Sequence, residues 1–208
     1  YSSEHVWMYA SKSIAYNTML IYDPSEAKVQ PERGNVTDGG QRAIFSNGEI
    51  SDLDEYLNAD SEGHDTNTGK VVAQEIDPKN PMTPEYTYLK GDLTKAYLQK
   101  KCEYYDRSFM FLDLDNEEVP ATLIVYDRVT STNPDFKKTW VLHTQEQPVI
   151  EDKQIVAQGT LSSSTYDMGY NGKLTVDSLL PKNSTITVVG SEEEGWHTIN
   201  GVDWTGLP

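Results

Sequence analysis

The sequence predicts an all-β fold, an antiparallel two-layer β-sandwich with little helix. Three observations lead there. Apolar residues alternate with polar ones over short runs, the signature of half-buried strands. Turn-forming clusters separate these runs roughly every 10–15 residues, as in sandwiches. No segment sustains the 3.6-residue apolar period of a long helix. The turn clusters are "DPSE", "DGG", "SNGE", "DPKN", "LDNEE", "STNP", "YNG" and "PKN".

The elements follow in chain order. "HVWMYASKSIAYNTMLIYDP", from His5 to Pro24, reads as a hairpin. Val6, Met8 and Ala10 share one face of its first strand. A Ser-Ile-Ala-Tyr-Asn-Thr turn leads into the apolar run "TMLIYDP", which Asp-Pro ends. Further strands are predicted at "KVVAQEI" (70–76), "KAYLQKKCEYY" (95–105), "RSFMFLDL" (107–114) and "ATLIVYDRV" (121–129). "TWVLHT" (139–144), "KQIVAQ" (153–158), "KLTVDSLL" (173–180) and "STITVVG" (184–190) complete the set. Segment 107–129 is the clearest unit: a hairpin whose second strand is apolar on both faces and so belongs at the centre of a sheet. Asp127-Arg128 at its end reads as a structural ion pair or turn cap. Helix is confined to "SDLDEYLNA" (51–59), with Ser51 as N-cap and Asp54 at N3, and to one turn in "GDLTKAY" (91–97). The organisation expected is a hairpin and loop over 1–50 continuing a preceding sheet, an acidic loop over 51–69 and a main sandwich over 70–208. A single continuous domain over 1–208 is the other possibility.

Composition narrows function. The 208 residues carry a formal charge of −16. Nucleic acid and anionic membrane surfaces recruit Lys and Arg to neutralise phosphate, so both are set aside as partners. No run of about 18 apolar residues exists to span a bilayer. The 13 Tyr and 4 Trp suit a carbohydrate-handling protein, because their faces stack on sugar rings; Tyr is equally a good strand former. The one cysteine, Cys102, has no internal disulfide partner and reads as a small buried hydrophobe. Beginning at Tyr1 within a strand-like pattern, with neither signal peptide nor initiating Met, the chain reads as a fragment of a longer protein.

Local motifs for chemistry are sparse. Loop 51–69 holds Asp52, Asp54, Glu55, Asp60, Glu62 and Asp65 without a Lys or Arg. "NADSEG" imitates the start of a calcium loop, but Gly69 stands at its twelfth position, where a bidentate Glu is needed. A solvated surface loop is the better reading. His5, His64, His143 and His197 show no HxH or HExxH spacing. His143, among apolar neighbours in "WVLHT", reads as a satisfied core or edge histidine. There is no GxSxG elbow, no phosphate-binding glycine loop, and no setting that would activate Cys102. Asn35 and Asn183 lie in N-x-S/T sequons, which mark surface loops where they are used.

Several segments, taken in order, resemble the heparinase II/III family of polysaccharide lyases. "YASKSIAYNTMLIYDPSE" is similar to a family signature of Tyr, a basic residue, Ile-Ala-His/Tyr-Asn-Thr and an apolar strand. "DGGQR" (38–42), "YLKGDLTKAY" (88–97), "YDRSFMFLDL", "IVYDRVTS", "KTWVLHTQEQPVI" and "NGKLTVDSLLP" (171–181) resemble successive family elements across nearly the whole chain. Tyr16 stands where many members have His, and the Asp-rich strand that precedes the signature is missing.

The resemblance implies an α/α toroid ahead of β-sandwich domains, with only the β part in this chain. It implies β-elimination on uronic-acid polysaccharides: a base removes the proton beside the carboxyl group while another group stabilises the enolate. It implies substrate contacts from Tyr16, Asn17, Gln41 and Arg42. It also implies a zinc ion with His5 as one ligand and the remaining ligands outside this chain, since zinc takes three or four. The partners implied are the polysaccharide and the toroid domain, and the compartment is periplasmic or extracellular. The competing expectations are a non-catalytic carbohydrate-binding or cell-surface module, and a purely structural sandwich.

Overall fold

A computed structural model describes residues 13–26, 39–41, 68–144, 146–161, 170–189, 198–199 and 202–203. The described chain is all-β, and every strand pairing in it is antiparallel. The described residues form eleven strands: β1 Met19–Tyr22, β2 Lys70–Ile76, β3 Tyr86–Asp92, β4 Cys102–Asp113, β5 Ala121–Ser131, β6 Lys137–Trp140, β7 Val149–Glu151, β8 Gln154–Leu161, β9 Tyr170–Asp177, β10 Thr198–Ile199 and β11 Val202–Asp203. They form a four-stranded sheet in the order β2-β3-β4-β5, a three-stranded sheet β7-β8-β9 and the pairs β1-β6 and β10-β11. Short 3₁₀ turns at Ser13–Ala15 and Thr94–Ala96 are the helical elements described. Among the described residues no helix is long and apolar enough to cross a membrane.

The four-stranded sheet follows the local pattern closely. "KVVAQEI" is β2 from end to end. Asp77 opens the turn after it, with its carboxylate accepting the Lys79 and Glu85 N–H groups at 2.9 and 3.4 Å. β4 and β5 form the expected hairpin, with Phe109 opposite Val125 and Arg107 opposite Asp127. Alternation puts Tyr105, Arg107, Phe109 and Phe111 on one face with Asp127, Val125 and Leu123.

Several expectations are corrected. Residues 95–101 are not strand: Leu98 C=O accepts the Lys101 and Cys102 N–H groups at 3.0 and 3.1 Å, which closes a turn. The single turn expected within 91–97 does form, and the Asp92 carboxylate accepts the Thr94 N–H at 3.0 Å. β3 was not among the expected strands, and its end, Lys90-Gly91-Asp92, consists of residue types depleted in strands. Ladder bonds to β2 and β4 on either side override that local weakness. β5 lies at the margin of its sheet rather than the centre, and Leu123, Ile124 and Tyr126 are 55%, 48% and 49% exposed. β6 stops at Trp140, β9 stops at Asp177, and residues 184–189 carry no strand. The strand expected around Val6–Ala10 and the helix over 51–59 lie outside the described residues.

β1 pairs with β6, residues 115 or more further along the chain (Met19 with Trp140, Tyr22 with Lys137) being its ladder partners at either end. The run "MLIY" therefore shares a sheet with "KKTW", on the far side of the acidic segment. Its inner residue Ile21 joins Ala96, Tyr97, Cys102 and Tyr105 in a buried cluster flanked by Met19, Leu93, Val129 and Phe136. Full burial of one large side chain of this kind is worth about 2 kcal/mol. Tyr97 and Tyr105 meet edge to face, ring centres 5.6 Å apart. This cluster anchors the Ser13–Thr18 turn at the end of the four-stranded sheet.

A candidate carbohydrate cleft

The cleft begins with how "SIAYNT" is held. The Tyr16 N–H donates to Ser13 C=O at 3.1 Å and the Thr18 N–H to Tyr16 C=O at 2.9 Å. The chain then enters β1, and the Val141 N–H returns to Thr18 C=O at 2.8 Å. Small and polar residues make so tight a reversal possible. It leaves the Tyr16 ring 55% exposed.

The "GGQ" segment is brought to the same place by three bonds. The Ile21 N–H donates to Gly39 C=O at 2.7 Å, and the Gln41 N–H to Ser13 Oγ at 2.8 Å. Buried Lys101 donates to Gly40 C=O at 2.7 Å and pairs with Glu26 at 2.8 Å. Its ammonium also lies 5.7 Å from the centre of the Tyr97 ring. Gly39 has φ +93° and packs flat against the Ile21–Tyr22 peptide, a conformation suited to glycine.

Arg107 forms the floor. Its Nε and Nη2 fork onto the Asp127 carboxylate at 2.6 and 2.7 Å, and its Nη1 donates to Asn17 C=O at 2.7 Å. The Tyr105 hydroxyl donates to the same carboxylate at 3.1 Å, and the Tyr97 hydroxyl donates to Met19 C=O. Burial works against the Arg107 charge, but the Asp127 carboxylate outweighs it and raises the guanidinium pKa. Burial raises the Tyr97 and Tyr105 phenols above their ordinary value. Neither phenol is therefore a base at neutral pH.

These residues enclose an open cleft of about 630 Å³, with Tyr16, Gln41, Tyr97, Tyr105, Arg107 and Phe109 around it and an apolar wall of Val71 and Leu89. On the outer side of the turn, Asn17 Oδ1 accepts the His143 N–H at 2.7 Å and lies 3.2 Å from His143 Nδ1. Burial lowers the His143 pKa, opposed by the Ile14 carbonyl, so the ring is neutral at pH 7. Aromatic rings beside fixed amide and hydroxyl groups suit a sugar ring, which has apolar faces and a polar rim. Arg107 is already compensated by Asp127, and Lys70 is the other cation among the described residues that line the cleft.

Of the residues expected from sequence, Tyr16, Asn17 and Gln41 come together here. His5 and Arg42 lie outside the described residues, and so does most of the acidic loop. Among the described residues no three His, Cys, Asp or Glu side chains gather to hold a metal ion. Cys102 is buried, and burial pushes its thiol up to about 11, which fits its expected structural role.

The sequence reading missed Arg107, Tyr97, Tyr105 and His143. Asp127-Arg128 was expected as a structural ion pair or turn cap, whereas the partner of Asp127 is Arg107 across the hairpin. A hairpin turning about Glu117 puts Arg107 opposite Asp127, so that signal was present in the sequence. His143 left none, because its partner Asn17 is 126 residues away. No family model matches this chain, and no curated protein does.

Proposed function

We propose that this chain is the β-sheet portion of a polysaccharide lyase of the heparinase II/III kind, acting on uronic-acid-containing chains by β-elimination. What supports it is convergence. The segments that carry the resemblance are scattered along the sequence, yet most of them meet at or beside one cleft. "SIAYNT" brings Ser13, Tyr16 and Asn17, and "GGQR" brings Gln41. "GDLTKAY" brings Tyr97 and "YDRSFMFLDL" brings Arg107 to the lining, while "IVYDRVTS" supplies Asp127 to hold Arg107 and "KTWVLHT" supplies His143 to bond Asn17. The segment "NGKLTVDSLLP" overlaps β9 and belongs to a different sheet.

In this role the chain binds and orients. Tyr16 offers a ring face and a hydroxyl, and Gln41 offers an amide for sugar hydroxyls. The reacting groups would come from the toroid that the resemblance implies: a base takes the proton beside the uronate carboxyl, the C–O bond at the β carbon breaks, and the leaving oxygen is protonated. Zinc enters only through His5, with its other ligands outside this chain. The compartment that goes with this role is the periplasm or the exterior. The aromatic rings around the cleft also favour a second role, a non-catalytic carbohydrate-binding module.

The test compares the full-length protein containing this segment with residues 1–208 alone. Each is incubated with heparin, heparan sulfate, chondroitin and alginate while the ultraviolet absorbance of unsaturated uronate is followed. The longer protein should generate that absorbance, residues 1–208 should not, and Tyr16→Ala with Gln41→Ala should slow the longer protein about tenfold. Robust cleavage by residues 1–208 would overturn the support role. Glycan binding without cleavage by either protein would leave the binding module.

A further inference from the structure

We propose that Arg107 is a positioning residue that acts through Asn17 to hold Tyr16 at the mouth of the cleft and His143 on the outer side of the same turn; its catalytic consequence rests on the lyase role proposed above. A buried Arg-Asp pair between neighbouring strands is ordinarily a structural feature, and two of the three bonds fit that description. The third does not. Arg107 is 7% exposed, and Asp127 holds both Nε and Nη2, which fixes the plane of the guanidinium. In that plane Nη1 points out of the sheet to the main-chain carbonyl of Asn17, 90 residues earlier in the chain. The Tyr105 hydroxyl steadies the carboxylate from the other side at 3.1 Å.

Asn17 passes this restraint on. Its carbonyl is fixed by Arg107, while its side-chain Oδ1 accepts the His143 N–H and faces the His143 ring. Tyr16 is the preceding residue, and its backbone is held between the pinned Asn17 and the Ser13 C=O that accepts its N–H. A rigid sheet, a fixed guanidinium, a pinned turn and a placed histidine thus form one bonded series. Lysine could not replace this arginine, because a single ammonium cannot offer a planar fork to Asp127 and a third donor to Asn17.

The test uses Arg107→Lys and the double variant Arg107→Met with Asp127→Asn. The double variant removes both charges together, so no buried charge is left unpaired. Hydrogen exchange is followed at the His143 and Val141 amides, which bond the turn, and at amides of the β4-β5 ladder. Exchange at the first two should quicken about tenfold or more in the double variant, and severalfold in Arg107→Lys, with the ladder amides within about twofold of wild type. If the double variant does not fold, Arg107→Lys carries the same comparison. Turn amides that stay within about twofold of wild type in a folded variant overturn the proposal. In the full-length protein, Arg107→Lys should lower kcat with KM held within about twofold. An unchanged kcat in an active enzyme also overturns it. An inactive wild type defeats the lyase role instead, and the exchange experiment then decides the positioning role by itself.

Discussion

Asp106 shows how the two faces of one strand divide their work. Its neighbour Arg107 points to the cleft, while Asp106 is buried on the opposite face at 1% exposure. There it pairs with Lys90 at 2.7 Å and accepts the Tyr104 hydroxyl, with Arg128 at 3.9 Å. Burial pushes the carboxyl pKa up, but Lys90 and Tyr104 outweigh it, and the net displacement is downward from 3.8. A carboxylate held lower in the folded state than in the unfolded chain stabilises the fold above its unfolded pKa, about 4. That contribution fades as pH falls through the folded value. Asp106→Asn should therefore melt below wild type at pH 7, and the gap should narrow as the pH approaches 3. A gap that stays constant over this range would show that the charge on Asp106 is not what stabilises the fold.

At the scale of elements, the chain's short-range structure is written in its short-range pattern. β2 and the β4-β5 hairpin were legible because alternation and turn chemistry act within a dozen residues. The 3₁₀ turn at Thr94–Ala96 was legible for the same reason. What escaped depends on distance: β1 finds β6, and Arg107 reaches Asn17 across 90 residues. No local period encodes such pairings. The same limit explains the candidate site, where Tyr16, Asn17 and Gln41 were named through resemblance while Arg107, which bonds the Asn17 carbonyl, was not. Gly39 is the most exacting point in this assembly. A Cβ there would sit 3.0 Å from the Ile21 carbonyl carbon and the Tyr22 nitrogen, both main-chain atoms that cannot rotate away. Left-handed backbone costs a non-glycine residue about 1–2 kcal/mol before that clash is added. Gly39→Ala should then lower the thermal midpoint by roughly 4–8 °C or more, for a destabilisation of about 2 kcal/mol. A melt superimposable on wild type would mean that residues 39–41 do not hold β1 as described.

For the whole molecule, the decisive quantity is the contrast between a net charge of −16 and the substrates that the resemblance implies. Glycosaminoglycans and alginate are polyanions, and proteins hold polyanions by releasing counterions with Lys and Arg. Among the described residues, three of the cations at and around the cleft are already committed, while Lys70 also lines it. Arg107 is paired with Asp127, Lys101 with Glu26 and Lys90 with Asp106. An ion pair held in a buried or half-buried site gives up its partner only at a desolvation cost, so these groups are poor recruits for a sulfate or carboxylate. The surface as a whole repels a polyanion most strongly at low ionic strength, where screening is weakest. Residues 1–208 should accordingly pass through immobilised heparin in dilute buffer without retention. Retention released by added salt would reveal a basic groove within this chain and overturn the expectation that the charge for substrate capture resides in another domain. If the full-length protein is retained and residues 1–208 are not, capture and support are divided between domains: charge draws the polymer in, and the aromatic cleft receives a sugar ring already brought to its mouth.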